Sequence, residues 1–390
     1  MQKNLKSNIW KLFLYHLTMR RNFAPIIAIF FLTLPNSIAQ QIGIYSGIGF
    51  LAGFLLEIPS GYLSDTIGHK KALILAKVSM IVSTLFFLTA NSWIFFALGS
   101  AFMSIGFAFS SGTHESFLHN TLIGIKKEKN YTKINSKMHA NISLISMFII
   151  LLIPILTEIS ILFPFKIYLG VDLIGLLLGF SLISPKLKIK AEDKEPIPLP
   201  KQLKQFWGTG FYTMAIFLGL IGGFILGMVG FNSPYVTSLG LPVIYVGMMM
   251  AGARLVWFVL GNYAHKIERK IKLKKLMIFE IIFFPTALIL ISLTKNPFVA
   301  IIFFALTTGY MFGRGGIFKS YFLNKFSINK RYKATMLSIK AQISSIIAVI
   351  VAFAIGFVMN ISFKLGYLTL GIILFILMFF TYLNLKKYLK

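Results

Sequence analysis

Four arginines, Arg20, Arg21, Arg254 and Arg314, stand inside long apolar runs of this 390-residue chain, and so do Glu57, Glu115, Asp172 and Glu280. A charge held away from water is costly, so each of these residues needs a partner or a task. Only six of the 39 basic residues are Arg; Lys is the ordinary cation and is expected in loops and at helix ends. Arg keeps its proton almost anywhere and offers a planar fork that fits carboxylate or phosphate. Two readings follow: recognition of an anionic or zwitterionic group by Arg20 or Arg21 with Arg254 or Arg314, or internal ion pairing with the four acids. Arg20 and Arg21 are adjacent, so on a helix they point about 100° apart and at most one faces a common cavity. Glu57, Glu115 and Asp172 are the candidate proton carriers. A carboxylic acid withdrawn from water holds its proton more firmly, and an approaching guanidinium releases it. Asp172 equally admits a buried ion pair or hydrogen bond. His16 and His114 belong to the side-chain type that ordinarily titrates near neutrality. Each is read as a structural hydrogen-bonder or as a proton carrier. The chain has no Cys, which excludes disulfides, thiolate catalysis and Cys-ligated metals. No metal site and no cofactor is implied.

The elements that must position these charges are membrane helices. The chain is 57% hydrophobic and 13% charged, too apolar and too poor in charge for a soluble surface of this size. Twelve spans are expected, at 9–33, 42–63, 72–90, 93–117, 137–157, 163–184, 209–231, 243–263, 276–294, 297–319, 334–358 and 363–385. Basic clusters follow the even-numbered spans: His69-Lys70-Lys71, Lys126-Lys127-Glu128-Lys129, Lys186 through Lys204, Lys266 through Lys275, and Lys319 through Lys333. After the odd-numbered spans only Lys166, Lys295 and Lys364 qualify. The positive-inside rule therefore places both termini in the cytoplasm. The same placement accounts for the net charge of +28 without nucleic acid, since no basic groove with stacking aromatics is built. No cleavable signal peptide is expected: the first run lacks a small-residue cleavage site and is interrupted by Arg20 and Arg21.

The segment 185–206 holds Glu192, Asp193, Glu195, Pro196, Pro198 and Pro200 and reads as a cytoplasmic linker between two six-helix bundles, 1–184 and 207–390. A weak repeat supports the division: Gly261 through Lys270 lies at the corresponding point of the second half to Gly61 through Lys70. Gly219, Gly222, Gly223, Gly227, Gly230, Gly247 and Gly252 are read first as close-packing positions and second as a hinge. Pro25, Pro154 and Pro285 are expected kinks.

Gly61-Tyr62-Leu63-Ser64-Asp65-Thr66-Ile67-Gly68-His69-Lys70-Lys71 is a short polar, basic turn between two apolar runs. It resembles the G-x-L-(A/S)-D-x-x-G-(R/K)-(R/K) signature between helices 2 and 3 of the major facilitator superfamily. Glu57-Ile58-Pro59-Ser60-Gly61, Ser111-Gly112-Thr113-His114-Glu115 and Lys333-Ala334-Thr335-Met336-Leu337-Ser338 resemble further segments of a bacterial drug- and solute-transporting branch. Thr66 and His69 depart from the pattern where basic residues are usual. The resemblance implies a twelve-helix, all-α membrane fold in which helices 1, 4, 7 and 10 line a central cavity. It implies a cytoplasmic gate of Gly61, Asp65, Gly68, Lys70 and Lys71, with Asp65 latched on the start of helix 11; the alternative is that Asp65 caps a helix end. It also implies a monomeric, multi-pass protein of the bacterial cytoplasmic membrane. The function implied is secondary transport of a small organic solute by alternating access, with protons as coupling ion and export favoured. Nutrient or organic-anion uptake and lipid flipping on the same fold are the alternatives. An enzyme is not expected, because the external loops are short and nearly free of acids, and no phosphate-binding loop is present to drive a pump.

Overall fold

A computed structural model describes residues 5–185, 208–315, 317–318 and 333–388, without the side chains of residues 132, 265 and 333–335. Apart from Pro185, the expected linker lies outside the described residues, as does the basic loop 319–332. The described residues form helices and no strand, as a chain immersed in lipid must when its backbone groups have to be satisfied within each segment. The helices are α1 (Asn8–Thr18), α2 (Ala24–Leu32), α3 (Ala39–Ile67), α4 (His69–Leu88), α5 (Trp93–Ser110), α6 (Thr113–Gly124), α7 (Tyr131–Leu152), α8 (Phe163–Ser181), α9 (Phe211–Ser238), α10 (Ile244–Lys270), α11 (Leu273–Leu293), α12 (Pro297–Gly313), α13 (Lys333–Ile361) and α14 (Phe363–Lys386). Ten helical segments are long and apolar enough to cross a membrane, and α12 is a shorter apolar helix. Leu177, Phe258, Ile350, Phe357 and Phe380 are among the large apolar side chains left exposed, the surface expected of a protein solvated by lipid.

Contacts divide the chain into two compact units. One comprises Met1–Ser37 and Ile48–Ala191, and is organised around α4, which packs on α5 and α8. The other comprises Ile38–Gly47 and Glu192–Lys390, where α9 packs on α13, α10 on α12 and α11 on α14. Glycine permits these close pairs. A Cβ at Gly219, Gly223 or Gly227 would fall on Ile343, Ile347 or Val351 of α13, and one at Gly309 would lie 2.5 Å from the Ala253 carbonyl.

Three expected elements differ from the sequence reading, all in the first unit. The span at 9–33 is two helices, because α1 stops at Thr18 and α2 begins at Ala24 with Pro25 in its first turn. Met19 to Phe23 fill the gap, Arg20 and Arg21 among them, so the helical 100° argument does not apply to the two arginines. The span at 93–117 is also two helices, α5 and α6, broken where Gly112 takes a φ of 68°, a conformation open to a residue without Cβ. Conversely, the polar segment from Gly61 is not a turn. Helix α3 runs through Pro59 to Ile67, and the turn shrinks to Gly68, whose φ is 94°.

Candidate functional site

The break between α1 and α2 leaves the last carbonyls of α1 without intrahelical partners. Lys77, fully buried on α4, donates its Nζ to the Thr18 carbonyl at 2.9 Å and to Asp172 Oδ1 at 3.0 Å. Arg21, inside the break, donates Nη1 to Asp172 Oδ2 at 2.7 Å, and the Thr84 hydroxyl donates to the same oxygen at 2.8 Å. Asp172 is thus an acceptor on both oxygens, the pattern of an ionised carboxylate. Gly175, one turn along α8, gives the Lys77 stem its room: a Cβ there would occupy it. The cluster pins α1, the break, α4 and α8 together.

The second unit has a separate buried pair. Arg314, which caps α12, donates Nη1 to Glu280 Oε2 at 2.5 Å and Nη2 to the Leu218 carbonyl at 3.0 Å. Arg314 also borders a cavity of about 150 Å³ that reaches Gly222 of α9 and Leu337 and Lys340 of α13. Arg254 takes neither role; its guanidinium lies 5.4 Å from the Trp257 ring centre on its own helix.

Both breaks of the first unit open on one cavity of about 350 Å³. His16, Met19 and Arg20 reach it from the end of α1, and Ser110, Ser111, Gly112, His114 and Glu115 from the α5–α6 junction. Arg20 therefore lines this cavity while its neighbour Arg21 turns into the Asp172 cluster. Glu115 is exposed in the first turn of α6, where a negative charge is favoured by the helix N-terminus. Glu57, also exposed, accepts from the Ser111 hydroxyl at 3.4 Å. A third histidine, His139 of α7, joins His16 and His114. One ligand atom from each lies within 4.8 Å of the other two.

Among the gate-motif residues, Gly61 and Asp65 are exposed on the last turns of α3. Lys70 donates to the Phe180 carbonyl at 2.7 Å, and Lys71 is exposed. His69, at a departure from the pattern, lies 3.0 Å from the Ser64 hydroxyl, which itself accepts from Thr113 at 2.8 Å. The side chains of Lys333, Ala334 and Thr335 lie outside the described residues.

Sequence reasoning missed Lys77, Lys340 and His139. The expectation that Lys stays in loops and at helix ends is corrected by Lys77, which sits mid-helix with no solvent exposure. The available signal was a matched deficit: one Lys inside the third span and one Asp inside the sixth, each costly without a partner. His139 carried no such signal, since a single His in a helix is ordinarily a local hydrogen-bonder.

The Major Facilitator Superfamily family model matches residues 12–325. No curated protein matches the sequence. Among solved structures, a mutant of the nucleoside transporter NupG superposes with a TM-score of 0.79 at 14% identity, covering 99% of this chain and 100% of that one. A bacterial homolog of the human lysosomal transporter Spinster gives 0.68 at 16%, covering 98% of each chain. A mutant of the peptide transporter POT gives 0.74 at 11%, covering 98% of this chain and 96% of that one. At these identities the likeness is one of fold, and it runs end to end. The motif of α3 and α4, the helical fold and a family match over most of the sequence converge: the chain belongs to the Major Facilitator Superfamily.

Proposed function

We propose that the protein is a proton-coupled secondary transporter that moves a small anionic or zwitterionic organic solute by alternating access, in the export direction. The observation that carries this reading is the cavity at the two helix breaks. Its volume of about 350 Å³ suits part of a small solute, and its lining brings Arg20, Glu115 and two imidazoles to one cavity. Discontinuous helices expose backbone groups as well as side chains to a solute, as transporter sites require. Similar solved structures are named for nucleosides and peptides, both of which combine apolar and hydrogen-bonding parts.

Within this proposal Arg20 is the recognising cation, while Arg21 and Arg314 hold the helices together. Glu57 and Glu115 carry protons; Asp172 is held on both oxygens between its two cations. Gly61, Asp65, Gly68, Lys70 and Lys71 gate the cytoplasmic side. The protein works as a monomer in the bacterial cytoplasmic membrane, with twelve spans, two bundles of six and both termini in the cytoplasm.

The test is proton flux in proteoliposomes given solute pools sorted by charge. Anionic or zwitterionic pools are expected to drive flux that falls about tenfold or more in Arg20→Ala, the scale set by loss of one charged hydrogen-bonding partner. Flux driven by cationic pools and unchanged in Arg20→Ala would overturn the assignment. Accumulation in inverted vesicles distinguishes export from uptake, and labelled lipids distinguish flipping.

A further inference from the structure

We infer that His16, His114 and His139 form a binding site for a divalent late transition cation of the zinc class, with an open coordination position towards the cavity. The three imidazoles come from α1, α6 and α7, so the chain fold alone brings them together. One ring nitrogen of each lies within 4.8 Å of the others, and His16 Nδ1 is 3.0 Å from His114 Nε2. A tetrahedral zinc ion with Zn–N bonds near 2.0–2.1 Å needs its nitrogens about 3.4 Å apart. Small side-chain rotations close that difference without moving a helix.

The ring centroids lie 4.1 Å apart for His16 and His114, 5.1 Å for His16 and His139 and 6.1 Å for His114 and His139, so binding requires the rings to rotate and aim their nitrogens at one ion. Three neutral imidazoles without thiolate select zinc, cobalt or nickel over magnesium or calcium, which prefer oxygen.

His16 and His114 line the cavity described above, so the fourth position faces it. Arg20 shares that cavity and adds positive charge beside the ion. Glu115, next to His114, opposes it, and an anionic group at the open position opposes it further. The bound entity is therefore the cation together with an anion, whether solute carboxylate or hydroxide. Metal binding does not depend on the transport reading; the anionic co-ligand does.

The test uses the full chain, purified in detergent without a polyhistidine tag, and cobalt(II) as the probe. Stoichiometric binding with intense visible absorption, the signature of four-coordinate cobalt, is expected, with competition by zinc. His16→Ala, His114→Ala and His139→Ala should each weaken binding roughly 100-fold, while His119→Ala, half-buried and outside the cluster, leaves it unchanged. The wild-type spectrum needs no variant to fold. Weak absorption of octahedral, hydrated cobalt, or binding that survives in the triple alanine variant, would overturn the site. No transport enters the measurement, so its failure leaves the transporter proposal to its own test.

Discussion

Asp172 is one buried negative charge between two buried cations. Removing an ion from such a group leaves its partners uncompensated, which costs more than the group ever contributed as a contact. Asp172→Asn strands both Arg21 and Lys77 in the interior, and we expect a loss of about 3–5 kcal/mol, read as a lower unfolding midpoint in detergent. Lys77→Met, which keeps the Arg21–Asp172 pair, should cost clearly less, and adding it to Asp172→Asn should recover part of the loss. An Asp172→Asn protein as stable as wild type would remove the structural role assigned to the cluster. This residue-level balance is also where the sequence was least informative. Arg21 and Asp172 were visible as costly charges, but which acid faced which cation depends on the packing of α1, α4 and α8. Lys77 was concealed by the general preference of Lys for loops, and His139 by the ordinariness of a single helical His.

At the level of elements, the two helix breaks create the cavity. The sequence marked both positions without revealing their consequence: Pro25 read as a kink, and Gly112 sat inside a recognised motif. Hydropathy averages over a span and cannot see an interruption of two to five residues. It likewise read the polar end of α3 as a turn, although hydroxyls such as Thr66, which donates to the Leu63 carbonyl, satisfy themselves on the helix. The left-handed φ of 68° at Gly112 gives a direct test. Gly112→Ala should cost about 1–2 kcal/mol in stability by disfavouring that conformation. A Cβ meets nothing within 4 Å at either Gly112 or Gly261, but Gly112 lines the cavity and holds the break at a positive φ, so the effect of Gly112→Ala on transport should be larger than that of Gly261→Ala. Equal transport by the two variants would separate the break from function. The close helix pairs make a second test. Gly309→Val drives a branched side chain into the Ala253 backbone and Val256, and over-packing of this kind costs about 1–3 kcal/mol. It should lower the thermal midpoint, and an unchanged midpoint would show that α10 and α12 separate freely.

For the whole molecule, the distribution of charge matters more than its total. A net charge of +28 on a soluble domain would create a strong one-signed field, whereas here most basic residues stand in the sequence between apolar segments, a pattern from which the positive-inside rule predicts an orientation. That argument predicts sidedness residue by residue, and the absence of Cys makes it directly measurable on single-Cys variants. Asn91, Lys127, Lys275 and Lys295 are all exposed, so each accepts a reactive thiol without disturbing a core. An alternating path through the membrane places Asn91 and Lys295 outside and Lys127 and Lys275 in the cytoplasm. A membrane-impermeant maleimide should therefore label Asn91→Cys and Lys295→Cys in intact cells, and Lys127→Cys and Lys275→Cys only in inverted vesicles. The paired design matters because Asn91 and Lys127 lie in the first unit and Lys275 and Lys295 in the second. If each pair splits in the same sense, the two halves cross the membrane in parallel, as a duplicated six-span unit must. If Lys275→Cys and Lys295→Cys split in the opposite sense, an odd number of crossings separates the halves, and the twelve-span topology with two cytoplasmic termini falls.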